Sequence, residues 1–104
     1  MAQFDVYPNP VESLRETHPW VVEIQSNLLK RPVALIGIPL AHLELGTSGV
    51  ERLNPRLDVA GETCVLETLA IGSYDPGDLR GRIANLRDKA DVIWDALDYA
   101  LHGY

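Results

Sequence analysis

Residues 56–68 read Arg-Leu-Asp-Val-Ala-Gly-Glu-Thr-Cys-Val-Leu-Glu-Thr, and this stretch decides the fold class. Apolar and polar residues alternate on both sides of Ala60-Gly61, which is typical of two strands that each bury one face. Glycine in the turn permits the positive φ that a two-residue hairpin requires. We therefore predict a β-hairpin with strands at Arg56–Ala60 and Glu62–Thr68, and an antiparallel sheet built around it.

Three segments upstream of the hairpin also have the composition of strands. Gln3–Tyr7 alternates, Trp20–Ser26 is rich in β-branched and aromatic residues, and Val33–Ile38 is continuously apolar. The polar, proline-containing residues 8–19 predict a loop without fixed anchors, which would become ordered when a partner binds. Residues 41–49 fit either a short helical turn or a loop.

The C-terminal segment has the period of an amphipathic helix. Asn85 is a suitable N-cap, and Gly103 is a suitable terminator. Apolar residues recur at spacings of three and four, at Leu86, Ala90, Ile93, Leu97 and Leu101. A second face carries Asp91, Asp95 and Asp98, which we expect to be solvated. Five strands followed by one helix predict a mainly β, α+β domain spanning residues 1–104.

Composition and charge restrict the class of protein. Nine Lys and Arg against fifteen Asp and Glu give a net charge of −6, which disfavours direct binding of nucleic acid. Cys64 is the single cysteine, so an intramolecular disulfide is excluded, and its apolar surroundings predict a buried structural thiol. The first residues lack the pattern of a secretory signal, and Val33–Leu45 is too short to span a membrane. We expect a soluble, cytoplasmic protein with no membrane partner.

Motifs of catalysis and cofactor binding are missing from the sequence. It contains no G-x-S-x-G, Walker loop, G-x-G-x-x-G or H-E-x-x-H pattern. His18, His42 and His102 lie far apart, and Asp75 and Asp78 belong to a turn cluster. We therefore expect no catalytic residues, no metal and no cofactor.

Several short strings of the sequence match one known family. They are Gln3–Tyr7, Val22–Leu29, Ile38–Leu40, Leu53–Pro55 before the hairpin, and the closing segment Asp98–Tyr104 with its penultimate glycine. In this order and spacing they resemble the CcdB family of plasmid and chromosomal toxins. The resemblance covers nearly the whole chain and has no gaps from Leu53 onward.

The resemblance implies both a fold and a function. The fold is an SH3-like barrel of about five antiparallel strands with a C-terminal helix, in a homodimer. CcdB-like toxins bind the dimeric A subunit of DNA gyrase, trap the cleaved DNA complex and perform no chemistry themselves. A cognate CcdA-like antitoxin wraps the toxin through a disordered segment, and the two proteins repress their own operon.

The resemblance also implies a gyrase-binding face formed by the first strand, the Gln-Ser segment and the end of the last helix. The corresponding residues are Gln3, Phe4, Tyr7, Ser26, Leu28, Leu29, Asp98, His102, Gly103 and Tyr104. Phe4 and Tyr7 fit core positions equally well, and Leu28 and Leu29 also fit a role in capping the barrel. Trp94 lies one residue off the apolar stripe and is expected to pack between helix and sheet.

The C-terminal tail departs from the family pattern. The toxins usually end in Trp-Gly-Ile with Asn four residues before the Trp, whereas this chain has Asp98 and His102-Gly103-Tyr104. An imidazole buries less apolar area than an indole, and Asp98 adds a charge that binding must desolvate. Tyr104 offers an aromatic anchor in return.

Three functions stay open at this point. The first is a gyrase poison, and the second is a non-poisoning relative that serves as antitoxin partner and operon co-repressor, which the altered tail favours. The third is a ribonuclease toxin of the Kid/MazF type, which shares the fold. Its cations would have to come from dispersed arginines, at Arg15, Arg31, Arg52 and Arg56.

Overall fold

Seven strands and one C-terminal α-helix make up the regular structure of the described residues. The structure is a computed structural model that describes residues 2–30, 32–43 and 50–103. The strands are β1 (Asp5–Pro8), β2 (Trp20–Glu23), β3 (Leu35–His42), β4 (Arg56–Val59), β5 (Glu62–Leu66), β6 (Gly72–Tyr74) and β7 (Ala84–Asn85). The helix α1 spans Ala90–His102. Short 3-10 turns lie at Glu12–Leu14, Thr68–Ala70, Pro76–Asp78 and Arg87–Lys89.

All the strand pairs are antiparallel and belong to one sheet. Its order is β4-β5-β3-β2-β1-β7, with β6 paired to the first half of β3. The sheet curls into a nearly closed barrel, and α1 covers one opening by packing its apolar stripe on the core. The predicted SH3-like barrel with a C-terminal helix is therefore confirmed, although β6 and β7 were not among the predicted strands.

The hairpin over residues 56–68 is present with the expected turn. Leu57 pairs with Cys64, and Asp58 pairs with Thr63. Ala60 and Gly61 have φ values of 51° and 83°, so both central residues of the turn are left-handed. This is the turn geometry that matches the twist of a tight hairpin.

Strand β3 extends beyond the predicted end at Ile38 and passes through Pro39. On one side the middle of β3, residues 37–40, pairs with β2, and on the other side β3 pairs first with β6 and then with β5. Pro39 lies where the partner changes, so its missing N–H interrupts no ladder, while its carbonyl accepts from the Glu67 N–H at 3.0 Å. Within the ambiguous residues 41–49, Ala41 and His42 continue β3, and residues 44–49 lie outside the described ones.

The helix begins four residues later than predicted, at Ala90 with Lys89 as its N-cap. Asn85 belongs to β7, and its side-chain oxygen accepts from the Arg87 N–H at 2.8 Å, so it caps the 3-10 turn that precedes α1. Ile93 and Leu97 are buried as expected, but Leu101 is 75% exposed because the helix runs past the edge of the barrel there. Gly103 ends the helix in the left-handed conformation, with φ 79°.

Residues 8–19 are anchored, which contradicts the expectation of an unanchored loop. The side chain of Asn9 is buried, accepts from the Val11 N–H at 2.9 Å and donates to the His18 carbonyl at 2.9 Å. Arg15 adds a hydrogen bond from Nε to the Asn9 carbonyl at 2.6 Å. One buried asparagine therefore holds both ends of the segment together.

Two groups of buried side chains support the barrel. The larger core lies between the sheet and α1 and includes Val22, Ile38, Leu40, Leu57, Leu66 and Ile93. The smaller one lies on the outer side of β1–β3 and consists of Tyr7, Val21, Leu35 and Leu79, with Tyr74 against it. Cys64 is fully buried, as predicted, and burial raises the pKa of its thiol to about 11, which keeps it protonated and unreactive.

Candidate functional site

The segment after β2 is tied to the N-terminal residues that precede β1. The backbone N–H of Gln3 donates to Asn27 Oδ1 at 2.8 Å, and Gln3 Nε2 donates to the Ile24 carbonyl at 3.1 Å. The Phe4 N–H donates to the Glu23 carbonyl at 2.6 Å. Residues 24–30 therefore have a fixed position on the barrel rather than projecting as a free loop.

Leu28 and Leu29 are exposed in the turn that begins at Ser26. Ser26 accepts a hydrogen bond from the Leu28 N–H on its Oγ at 3.1 Å and one from the Leu29 N–H on its carbonyl at 3.3 Å. Leu28 is 85% exposed and Leu29 is 59% exposed. Because both leucines are exposed to water, they add nothing to the hydrophobic core of this chain. Contact with a partner protein explains their exposure better.

The end of α1 contributes a polar group of residues. Asp98 and His102 lie one turn apart on the helix, are both exposed, and approach to 3.8 Å between Asp98 Oδ1 and His102 Nδ1. The N–H of Gly103 donates to the Tyr99 carbonyl at 2.9 Å and closes the helix. Tyr104 lies outside the described residues.

Phe4 and Tyr7 are part of the interior rather than of the surface. Phe4 is 4% exposed, and its ring meets that of Trp94 edge-on at a centroid distance of 5.4 Å. Phe4 also has a φ of 71°, a left-handed value that is rare for a bulky residue and that orients its ring beneath the helix. Tyr7 is 3% exposed in the smaller core. The direct-contact role that the resemblance implies for these two side chains therefore finds no support in their positions.

Trp94 was expected to pack between helix and sheet; its ring does contact Phe4, but the side chain is 39% exposed. Its contact with Phe4 brings the Trp94–Asp98–His102 side of α1 next to the start of β1. Gln3, the neighbour of Phe4, holds the turn of the exposed leucines. The exposed residues of these elements form what we call the candidate interface: Gln3, Ser26, Leu28, Leu29, Trp94, Asp98 and His102.

Beneath the candidate interface lies a buried polar cluster that the sequence analysis missed. The register of β1 and β2, which pairs Val6 with Val22, places Asp5 opposite Glu23. Both carboxylates are nearly inaccessible, at 3% and 4% exposure. The Tyr7 hydroxyl lies 3.4 Å from an oxygen of each. Only the register between β1 and β2 brings these three groups together. A local sequence pattern therefore could not have predicted the cluster.

The two carboxylates of this cluster have opposite environments. Burial alone would raise the pKa of Asp5, but hydrogen bonds from Asn85, the Ala2 backbone and Arg82 outweigh it, so the pKa lies below its usual value. Glu23 has a raised pKa, because of burial first and the negative charge of Asp5 second. Burial and both carboxylates also raise the pKa of Tyr7. The fold therefore favours the charged form of Asp5 and disfavours the charged form of Glu23.

Replacing Glu23 by glutamine should stabilise the fold at neutral pH. Because the pKa of Glu23 is higher in the folded state than in the unfolded state, its ionisation opposes folding as pH rises through that window. We expect Glu23→Gln to gain on the order of 1 kcal/mol at neutral pH and to lose that gain towards about pH 4. Urea denaturation at several pH values measures the difference.

Asp5→Asn is the matched control, and its effect should have the opposite sign. The lowered pKa of Asp5 means that its charged form stabilises the fold above the unfolded pKa, and that this stabilisation is lost as pH falls. Asp5→Asn should thus be destabilised most at neutral pH. A Glu23→Gln protein that is less stable than wild type at neutral pH would show that the Glu23 charge is satisfied in the native state.

A groove of about 290 Å³ opens above Glu23, between the N-terminal residues and the turn after β2. Its apolar wall comes from Leu29, Pro32 and Leu35, and its polar lining comes from Glu23, Gln25, Ser26, Asn27 and Lys30. Ser26 and Leu29 belong to both the groove and the candidate interface. A molecule docked on the exposed leucines would therefore also cover the opening over Glu23.

Histidines and metal ligands do not form a second site within the described ranges. His18 pairs with Glu67 at 3.8 Å, and His42 pairs with Glu62. Residues 2–30, 32–43 and 50–103 contain no group of three or more His, Cys, Asp or Glu placed to hold a metal ion. Within the same ranges, the single long helix is too short and too polar to cross a bilayer.

Comparison with known proteins gives one informative result. A search among curated proteins finds no match to the chain. The model of the family described as "CcdB protein" matches residues 3–103, which is nearly the entire sequence. The match includes every described residue of the candidate interface and the barrel that positions it. The chain belongs to the CcdB family, a family of non-enzymatic toxins of toxin–antitoxin systems.

Proposed function

We propose that this protein binds the A subunit of DNA gyrase, traps the cleaved DNA complex and so acts as the toxin of its module. Family membership supports the toxin role. The observation that carries the gyrase proposal is the pair Leu28 and Leu29, which are exposed on a turn held by hydrogen bonds. Exposed apolar side chains on a fixed turn are suited to fill a partner pocket at a low cost in conformational entropy.

Trapping of the cleavage complex provides the test. Purified protein is incubated with gyrase, ATP and supercoiled plasmid, and the reaction is stopped with detergent and protease. Linear DNA should accumulate with the dose of protein, because a trapped double-strand break is released when gyrase is digested. A dose series without linear DNA, under conditions in which a known gyrase poison produces it, would contradict the proposal.

The second candidate is a non-poisoning family member that acts as antitoxin partner and operon co-repressor. The exposed Asp98–His102 pair favours it, because these charged and titratable groups stand where the family usually has asparagine and tryptophan. Both must be desolvated when a partner covers the helix end. Binding of a CcdA-like antitoxin and of operator DNA by the complex, without linear DNA in the gyrase assay, would establish this alternative.

Substitution of His102 by tryptophan should strengthen gyrase binding. His102 is exposed on the last turn of α1, so an indole fits there without disturbing the core and buries more apolar area against a partner. We expect affinity for the gyrase A-subunit fragment to rise about tenfold, equivalent to about 1.4 kcal/mol. Calorimetric titration of wild type and variant measures it, and Asp98→Asn should add to the gain. Equal affinities would show that the helix end does not contact gyrase.

We also propose a homodimer. Within the apolar strip Val33–Ile38, Val33 is 96% exposed and Ile36 is 43% exposed, and Ile71, the residue before β6, is 42% exposed. A second copy would cover these side chains. Light scattering at micromolar concentration should give about twice the monomer mass of 11.5 kDa. A mass of one chain would contradict this part of the proposal.

The ribonuclease alternative gains no support from the arginines that would serve it. Arg52 is held by Asp95 in a two-bond pair at 3.0 and 3.1 Å and lies over the Tyr99 ring. Arg15 is directed to the Asn9 carbonyl, and Arg56 lies on β4. The three lie on different elements, and Arg31 lies outside the described residues. They do not form the cationic cluster that phosphoryl chemistry requires.

A further inference from the structure

Glu23 is a buried carboxylate without enough hydrogen-bond donors. Asp5 accepts from the Ala2 N–H at 2.8 Å, from Asn85 Nδ2 at 2.9 Å and from Arg82 Nη1 at 3.4 Å. Among the described residues, the Glu23 carboxylate has one polar contact, the Tyr7 hydroxyl at 3.4 Å, which also lies 3.4 Å from Asp5. A hydroxyl has one proton and can donate to one carboxylate at a time. An ionised Glu23 therefore competes with Asp5 for a single long hydrogen bond.

A proton on Glu23 is one way to resolve this competition. Protonated Glu23 donates to the Tyr7 oxygen, and the Tyr7 hydroxyl then donates to the charged Asp5. The raised pKa of Glu23 and the lowered pKa of Asp5 agree with this arrangement. A cation brought next to Glu23 offers a second solution, because it supplies the donor and the charge that the carboxylate lacks.

The groove over Glu23 has the shape and chemistry to supply that cation. Glu23, 4% exposed, belongs to its lining, and Leu29, Pro32 and Leu35 add apolar side chains to the same lining. A long side chain with an aliphatic stem and a positively charged end matches both features. Lysine and arginine have this structure, and the net charge of −6 attracts a basic partner segment.

We propose that the groove above Glu23 binds a lysine or arginine side chain of a partner protein, whose cationic end takes the place of the Glu23 proton. The proton passes to solvent as the ion pair forms. The inference deepens the proposed function and rests on it for the partner, because Ser26 and Leu29 line both the groove and the candidate interface. The partner's basic residue would then enter beside the leucines that dock on it.

The charged groups around Glu23 set the direction of the pH dependence. Asp5 and Tyr7 face it from β1, and Arg82 neutralises Asp5 from the segment before β7. Lys30 lines the groove, and the positive charge of the chain's N-terminus favours ionisation of Glu23. Since binding of a cation releases the Glu23 proton, affinity should rise as pH increases through the pKa of Glu23 and level off above it.

Agmatine, a four-carbon stem with a guanidinium group at one end and an ammonium group at the other, is the probe for the test. NMR titration of the full-length protein at neutral pH should show saturable binding in the millimolar range, with shifts at Gln25, Asn27 and Leu29. Affinity should fall as pH is lowered from neutral through the pKa of Glu23, and agmatine should lower the pKa read from the carboxyl carbon of Glu23.

Glu23→Gln should weaken agmatine binding about tenfold, whereas Glu12→Gln, the same charge change at an exposed position outside the groove, should not alter it. Unchanged binding by Glu23→Gln would overturn the proposal. So would saturable binding seen only in Lys30→Met, because Lys30 would then be the occupant of the groove. All these measurements use the isolated protein, so their results do not depend on gyrase binding. If agmatine does not bind as expected, the groove proposal fails while the gyrase proposal is unaffected, and the reverse also holds.

Discussion

Replacing Leu28 and Leu29 together by aspartate should reduce affinity for the gyrase A subunit by at least about 100-fold while leaving the fold intact. The two side chains are 85% and 59% exposed, so aspartate at these positions costs the native state less than about 0.5 kcal/mol. In the complex the same change removes two apolar anchors and forces two charges to be desolvated, and each of these effects costs about 1–3 kcal/mol. Calorimetric titration with a gyrase A-subunit fragment measures the loss.

The control must carry the same charge change at exposed leucines elsewhere. Leu14 and Leu69 are 46% and 72% exposed and lie outside the candidate interface. Leu14→Asp with Leu69→Asp should reduce gyrase affinity by no more than about threefold, through the added negative charge alone. Equal losses in the two double variants would show that net charge, and not the turn after β2, determines binding.

Replacing Phe4 by alanine should destabilise the fold by about 3–5 kcal/mol, the usual cost of deleting a buried aromatic ring. Phe4 is 4% exposed and fills the space between β1 and α1, where it contacts Trp94. Its backbone holds two hydrogen bonds, from its N–H to the Glu23 carbonyl and from the Leu86 N–H to its own carbonyl. Urea denaturation of the variant should therefore show a large loss of stability.

Phe4→Leu tests whether the loss comes from packing. Leucine keeps most of the apolar volume, so we expect this variant to lose less than about 1.5 kcal/mol. Leu28→Ala, a truncation at an exposed position, should change stability by about 0.5 kcal/mol or less. A cost below about 1 kcal/mol for Phe4→Ala would mean that the ring is a surface contact after all.

The parts of the fold that local patterns specify were accessible from the sequence. The hairpin around Ala60-Gly61 follows from alternation and a glycine turn, and the buried face of α1 follows from the spacing of Ile93 and Leu97. The solvated aspartates of the helix are also exposed as expected. In each case the deciding residues lie within a few positions of one another.

The features that escaped sequence analysis depend on contacts distant along the chain. Pro39 indicates the end of a strand locally, but it is tolerated because β3 changes partner there. Asn9 is polar in a proline-rich stretch, and its burial depends on the carbonyl of His18 across the segment. Asp5 and Glu23 become neighbours only through the register of β1 and β2.

The site was predictable only where the family resemblance and exposure agree. Leu28 and Leu29 meet both conditions, whereas Tyr7 on β1 and Phe4 just before it are buried, each in a different core. Alternation alone cannot tell a surface strand from one that is packed between two cores. Trp94, one residue off the apolar stripe, was expected to pack between helix and sheet; it contacts Phe4 there, and 39% of the side chain is exposed.

Growth of two hosts that differ only in gyrase tests the gyrase proposal most directly. The protein is expressed from the same inducible plasmid in a host with wild-type gyrase and in one whose gyrase A subunit resists CcdB-type toxins, with the Leu28→Asp and Leu29→Asp double variant as control. We expect arrest of growth with the wild-type protein in the first host alone, and no arrest with the double variant in either host. Arrest in both hosts, or in neither, would contradict gyrase as the target.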